Sequence, residues 1–432
     1  MSLPEPRSRT RLLQKINSSG SQKRVISIVV VVALVAIPLS VYAMNNFINI
    51  ESESGNLSGN VGTIGDSSAS GDQAVKFGDT AVAGTPTLTK TVIVDGLTRP
   101  WDIAFLDDGT MFFTQRSNRF SVREINGTVR QITRITDAAQ GSEGGLMAVE
   151  VDPNFSSNRY IYMCLSSDID GPTDNRVVRW TVNSDYTEIT NRTNVVTGMP
   201  YTTGRHSGCR LKFGPDGYLW IGTGDSGTST VPQDKFALGG KVLRVDRDGN
   251  PAPGNAGAGF DPRIYSYGHR NVQGLMFRPG TGQPFNVEHG TGRDDEVNRL
   301  ISGANYGYDP VRPSEPGRYY EQVPMTDTVK FPDAIEATWT SGDPTIATSG
   351  GTFLSGVQWK DWNGRAVVAV QKDRHLMILE FNQAGTQTVS VERAFTEDGY
   401  RLRSVVQGPD GDLYVTTDNS GGVDQIWRVT PS

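Results

Sequence analysis

The chain has 432 residues, a net charge of −6 and two cysteines. Apolar residues at 36%, with 49 glycines, allow a sizeable folded core and exclude wholesale disorder. The acidic balance excludes a nucleic-acid binder over the bulk of the chain, and two cysteines exclude a disulfide-dense scaffold or a cysteine-rich zinc module.

Residues 1–24 hold six basic groups against one acid, so the remainder of the chain sits near −11. The run Val25–Ala43 carries no charge and is just long enough to span a bilayer. Lys23 and Arg24 border its start, which places that end in the cytoplasm and everything after Ala43 outside. The run exceeds the roughly 7–15 apolar residues of a signal peptide, which favours an uncleaved anchor. Val41-Tyr42-Ala43 nevertheless offers a small-residue cleavage site that would release a secreted protein, and both readings stay open. Residues 44–88, rich in Ser, Gly, Ala and Thr, bury too little apolar surface to offset their ordering entropy and read as a flexible tether. The expected organisation is a basic cytoplasmic tip (1–24), a membrane anchor or signal (25–43), a linker (44–88) and one folded domain (89–432).

From Thr89 onward short β-rich runs recur between turn residues: Met111–Thr114, Tyr160–Leu165, Tyr218–Gly222, Arg365–Val370 and Leu413–Thr416. Helical periodicity is nearly absent. A turn-then-strand phrase appears six times, as FLDDGTMFFT, VDPNFSSNRYIYMCL, FGPDGYLWIGTGD, FRPGTGQPFNVEHG, WKDWNGRAVVAV and QGPDGDLYVTTD. Asp-Gly and Asn-Gly pairs favour tight hairpin turns. A β-sandwich pair or an irregular barrel also contains such hairpins. Six recurrences about 57 residues apart favour a six-bladed β-propeller with long inter-strand loops, since a blade takes about 40–50 residues. The widest gaps, between the third and fifth copies, should hold the longest insertions. A propeller gathers one end of each central strand around its axis, so polar residues after those strands should converge.

Four histidines are present, with no His-Glu-x-x-His, Cys-x-x-Cys, phosphate loop or Gly-x-Ser-x-Gly elbow. His206 sits at a glycine-flanked bend before one strand and Asp225 ends the next, so a hairpin can bring them together. A histidine oriented by a carboxylate makes a general base near neutral pH, while a buried structural pair is the plainer reading. Arg270 and Asn271 follow another strand end, where an arginine can hold an anion. Asp294, Asp295 and Glu296 cluster in a glycine-rich loop beside free backbone carbonyls, a donor set suited to calcium without EF-hand spacing. Arg401 and Arg403 alternate on a strand and so share a face. With Lys372 and Arg270 they would make a positive hole in an acidic domain, suited to a small polyanion. Each cation alone reads better as a surface ion pair.

The segments PWDIAFLDDG, EGGLMAVEVDPNF, HSGCRLKFGPDG, GHRNVQG, HGTGRDDEVN with GANYGY, and RLRSVVQGPDGDLYVTTD resemble, in order, the soluble glucose/sorbosone dehydrogenase family, which includes the quinoprotein aldose sugar dehydrogenases. The resemblance implies a six-bladed propeller that uses pyrroloquinoline quinone (PQQ) and calcium to oxidise an aldose at C1 to the lactone. His206 would match the base that takes the C1 hydroxyl proton as hydride passes to the quinone, and Asp225 the acid that orients it. Gln115 would match the polar residue above the cofactor. Arg270 and Asn271 would match the pair at the quinone oxygens, and Lys372, Arg401 and Arg403 the cations facing the cofactor carboxylates, with Asp418 beside them. The carbonyls of Gly290 and Thr291 would match ligands of the cofactor's calcium. Asp295, Glu296 and Tyr306 would match a second, structural calcium site, and Gln233 a further cofactor contact. Thr291 stands where proline is common, yet still offers a carbonyl. The resemblance leaves the sugar and the electron acceptor open, and whether Cys164 and Cys209 pair or remain buried thiols. A non-catalytic extracellular propeller that binds a partner or glycan is the alternative function. A calcium-dependent lactone hydrolase is disfavoured because the acids cluster in one loop.

Overall fold

The computed structural model describes residues 83–432 apart from position 313, together with three short strands nearer the N-terminus. Those strands, Phe47–Ile48, Val61–Gly65 and Gln73–Phe77, pair as a small antiparallel sheet in a unit of their own. Part of the segment read as a tether thus carries strand pairing, because Val61, Ile64, Val75 and Phe77 interrupt its polar composition. The basic tip and the apolar run Val25–Ala43 lie outside the described residues. No helix among the described residues is long and apolar enough to cross a membrane.

The second unit contains six four-stranded antiparallel sheets. Blade one runs from Pro100 to Arg134, blade two from Leu146 to Met199 and blade three from Gly208 to Tyr267. Blade four runs from Val272 to Thr340 and blade five from Thr348 to Ala394. Blade six takes Leu402–Gln407, Leu413–Thr417 and Asp424–Pro431 from the C-terminus, and its outer strand, Leu88–Leu97, from the start of the domain. The first strands of successive blades touch in a closed ring, so the six-bladed propeller is the observed architecture. The repeated turn-then-strand phrases are its first-to-second-strand connections. The folded domain reaches slightly further back than residue 89, because Thr87 and Ser432 exchange both backbone hydrogen bonds. Threonine-rich TPTLTKTVIV looks like linker by composition, yet its β-branched residues suit an extended strand.

Burial falls from the axis outward. The second strands Met111–Gln115, Leu219–Thr223, Ala366–Val370 and Leu413–Thr417 are buried at every position, because neighbouring blades cover both faces. The outer strand Thr388–Ala394 alternates half-buried with exposed, as an edge strand facing water should. Short helical turns, Phe155–Asn158 and Val357–Trp362, lie in two first-to-second-strand connections. The longest insertions fall in blades three and four, as the spacing implied. The one in blade four, between Arg299 and Trp339, carries the small hairpin Val311–Arg312 and Glu315–Tyr319. A disulfide joins Cys164, on the second strand of blade two, to Cys209, on the first strand of blade three.

Candidate active site

First strands all run the same way around the ring, so their starts and the ends of the second strands meet at one end of the axis. His206 precedes the first strand of blade three and Asp225 follows its second. The bend that carries the histidine is tight: a Cβ at Gly224 would stand 1.8 Å from the His206 carbonyl oxygen, so only glycine fits there. His206 itself adopts φ 48°, an uncommon conformation for a residue with a side chain. Asn271 secures the bend by accepting from the Gly208 N–H at 3.0 Å. From the other side, Asp225 N–H donates to the Arg270 carbonyl at 2.9 Å.

The two side chains meet in a buried pair, His206 Nδ1 to Asp225 Oδ1 at 2.8 Å. The carboxylate accepts Nδ1–H, which fixes the tautomer and leaves Nε2 as the basic nitrogen. Arg205 Nε donates to that nitrogen at 3.2 Å. Arg205 also pairs with Glu321, whose Oε1 lies 3.0 Å from Arg270 Nη2. One carboxylate from the blade-four insertion therefore joins two arginines beside the base. The Arg270 guanidinium is buried and donates to the His289 carbonyl at 3.1 Å, while its Nε has no partner.

A cleft of about 410 Å³, linked to this site through His289 and through Glu143, which accepts from Asn271, is lined by Arg99, Arg116, Arg401 and Arg403, with Glu143 and Asp418 as its carboxylates. Arg401 and Arg403 share Gln371 Oε1, at 2.9 and 3.4 Å. Asp418 holds Arg403 through Nε at 2.6 Å and Nη2 at 2.5 Å. Burial, together with the like charge of Arg403, pulls the Arg401 guanidinium below its ordinary range, a penalty that an anionic ligand would relieve. His289 lines the same cleft, and its Nε2 is buried and unpartnered. Unpaired buried polar atoms are costly, so these atoms mark where a polar ligand is expected.

Other expected residues lie elsewhere. Lys372 is exposed and donates to the Thr345 carbonyl at 2.7 Å; its buried neighbour Gln371 reaches the arginines instead. A one-residue step at a strand end reverses the face, which turns the lysine outward. Gln233 is taken up by reciprocal amide bonds with Asn305, both 3.0 Å, and by the Tyr308 carbonyl, so it braces two loops rather than lining the cleft. Gln115 is buried and its Oε1 accepts from Thr98 N–H at 2.8 Å, fixing the turn that presents Arg99.

The side chains of Asp295, Glu296 and Tyr306 do not assemble into a metal cage. Asp295 accepts from the backbone N–H groups of Gly290, Ile346 and Ala347, at 2.9, 2.7 and 2.6 Å. Glu296 bonds Thr326 and Asn298, and burial beside Glu288 raises its carboxyl well above the ordinary range. The Tyr306 hydroxyl donates to the Arg299 carbonyl at 2.6 Å. Among the described residues no group of three or more His, Cys, Asp or Glu could hold a metal. The Gly290 and Thr291 carbonyls, by contrast, accept no hydrogen bond among the described residues.

Sequence reasoning missed Tyr319, Glu321, Gln371 and Glu143. Tyr319 and Glu321 come from the blade-four insertion, where no strand pattern announces which residue turns toward the axis.

Residues 97–428 match the family model described as Glucose / Sorbosone dehydrogenase. The aldose sugar dehydrogenase YliI of Escherichia coli is 30% identical over 360 residues, covering 81% of this chain and 94% of the relative. Quinoprotein glucose dehydrogenase B of Acinetobacter calcoaceticus is 24% identical over 422 residues, covering 79% and 88%. The PQQ-bound aldose sugar dehydrogenase of Streptomyces coelicolor superposes with a TM-score of 0.64 at 27% identity, covering 80% of this chain and 99% of that structure. This chain belongs to the glucose/sorbosone dehydrogenase family.

Proposed function

We propose that the protein is a PQQ- and calcium-dependent aldose dehydrogenase that oxidises the sugar at C1 to the lactone. The observation that carries this reading is the His206–Asp225 pair, joined through Arg270 to a cleft with four arginines and two carboxylates, with Arg270 Nε and, in the cleft wall, His289 Nε2 both without partners. The donor set fits a small polyanionic quinone: Arg401 and Arg403 would take its carboxylates, and Arg270 and Asn271 would lie toward its oxygens. The unbonded carbonyls of Gly290 and Thr291 suit a hard cation. When bound, PQQ supplies the two-electron acceptor and calcium the polarising charge.

The chain's own residues bind and move the proton. Nε2 of His206 accepts the C1 hydroxyl proton, and the buried Asp225 carboxylate stabilises the resulting imidazolium. Arg205, now bonded to Nε2, must yield that position to the sugar hydroxyl. The Cys164–Cys209 disulfide supports an oxidising compartment for the domain, as expected of one anchored by Val25–Ala43 and facing outward, or secreted if that run is cleaved.

The test is a titration of the purified chain with PQQ and calcium, read by thermal shift, followed by dye reduction with a panel of aldoses. A stabilising shift with aldose-dependent reduction is expected. Absence of both overturns the reading, and a shift without turnover on any aldose favours the binding-module alternative.

A further inference from the structure

We propose that Tyr319 is a positioning residue for the base, the third member of a His206–Asp225–Tyr319 relay that the blade-four insertion completes. The inference rests on the general-base reading above. Asp225 Oδ1 accepts from His206 Nδ1 and from Gly227 N–H, both at 2.8 Å. Its other oxygen, Oδ2, has one donor among the described residues, the Tyr319 hydroxyl at 2.7 Å. The Tyr308 hydroxyl lies 2.9 Å from that of Tyr319 and, since Tyr319 donates to the carboxylate, Tyr308 must be the donor to Tyr319. Tyr308 is fully buried, so the chain of bonds runs from the interior to the base. Burial and the adjacent Asp225 charge push the Tyr319 hydroxyl well above its ordinary range, so it remains a proton donor at any working pH.

The hairpin that carries Tyr319 is held against the site by charge. Glu321, two residues on, pairs with Arg205 and Arg270, and the Arg205 guanidinium lies 5.3 Å from the Tyr319 ring centroid. The Tyr319 and His206 rings are 6.0 Å apart and tilted. Two blades therefore share one proton-handling unit: blade three supplies base and carboxylate, and the insertion in blade four sets the carboxylate's orientation and charge.

This arrangement sets the sign of the effect. A hydrogen bond to Oδ2 draws negative charge away from Oδ1, which weakens the carboxylate's hold on the imidazolium. The other charged groups near the pair are Arg205, Glu321, Arg270 and the buried Lys241, and Tyr319→Phe removes a hydroxyl but no charge from among them. Tyr319→Phe should therefore strengthen the Nδ1–H···Oδ1 bond to His206 and loosen the carboxylate that aims it.

The experiment follows the imidazole resonances of the full chain without cofactor, a tractable spectrum because the sequence has four histidines. Tyr319→Phe should move the His206 Nδ1–H resonance downfield, as a stronger bond to Oδ1 requires. With PQQ, calcium and an aldose, kcat should fall about tenfold at nearly constant KM. Tyr308→Phe, which leaves Tyr319 in place, should give a smaller shift of the same sign and stands in if Tyr319→Phe does not fold. An unmoved His206 Nδ1–H resonance, or a change confined to KM, overturns the relay. A wild-type chain that shows no turnover, with the His206 shift intact, counts against the dehydrogenase reading and leaves the relay standing.

Discussion

Both ends of the propeller axis are hollow, and the larger hollow is at the end without the base. There a cleft of about 530 Å³ is lined by Phe105, Asp108, Glu150, Asp152, Arg159 and Lys212, against about 410 Å³ at the arginine cleft. What separates the ends is how their polar atoms are satisfied. At the far end Glu150 is met by Lys212 and by Phe213 N–H, and Asp152 by Arg247 and the Tyr162 hydroxyl. Arg159 donates to the Val182 and Asn183 carbonyls and lies over the rings of Phe155 and Tyr186. None of the side chains lining that cleft has a buried polar atom without a partner, whereas the other end leaves Arg270 Nε and His289 Nε2 unpaired. The walls of the far-end cleft are satisfied by folding alone, with Arg210 Nη2 left over in the adjoining cavity, whereas the other end leaves Arg270 Nε and His289 Nε2 for a ligand to meet.

Substitutions at the two ends should therefore separate chemistry from stability. His206→Asn is expected to lower kcat by about 10²–10⁴-fold while melting temperature and cofactor-induced shift stay as in wild type. Lys212→Gln at the far end should leave turnover within about twofold, and steady-state kinetics on both variants would break the comparison if the losses were alike. The disulfide sharpens the same contrast, because Cys209 lies three residues after the base. Replacing both cysteines by alanine should cost about 2–4 kcal/mol of stability, read by denaturant unfolding, and weaken turnover more than a matched core substitution near Glu150. The smallest expected effect concerns pH. Burial raises the Glu150 carboxyl above its ordinary 4.5, so the folded chain holds that proton more tightly than the unfolded one. This contribution to stability is present below pH 4.5 and is lost as pH rises through the folded value. The melting temperature of wild type should fall relative to that of Glu150→Gln as pH rises from 4.5 to 7, as scanning calorimetry would show.

Much of the fold was legible because each blade announces itself with the same turn chemistry, and turn residues act locally. His206, Asp225, Arg401 and Arg403 were legible for a related reason: they sit at fixed offsets from strands that the pattern locates. Lys372 misled because a single residue past a strand end decides which way a side chain faces, and Gln371 has the inward position. An acid in a glycine-rich loop can also tie down backbone amides, and Asp295 accepts from three of them here. Tyr319 was invisible for a different reason. Its partner Asp225 is 94 residues away, and the insertion between them has no repeat to align it.

The strand Leu88–Leu97 has a consequence for the order of assembly. It pairs with Asp424–Pro431, so the first strand of the domain to leave the ribosome is among the last to find its neighbour. Until residues near 430 are made, the ring has an open seam with two unpaired edges, the kind of surface that recruits other chains. Joining them closes a loop of more than 300 residues, a long-range contact that local structure cannot hasten. Ring closure is therefore expected to be late and slow, and a chain exported before folding would meet this step outside the cytoplasm.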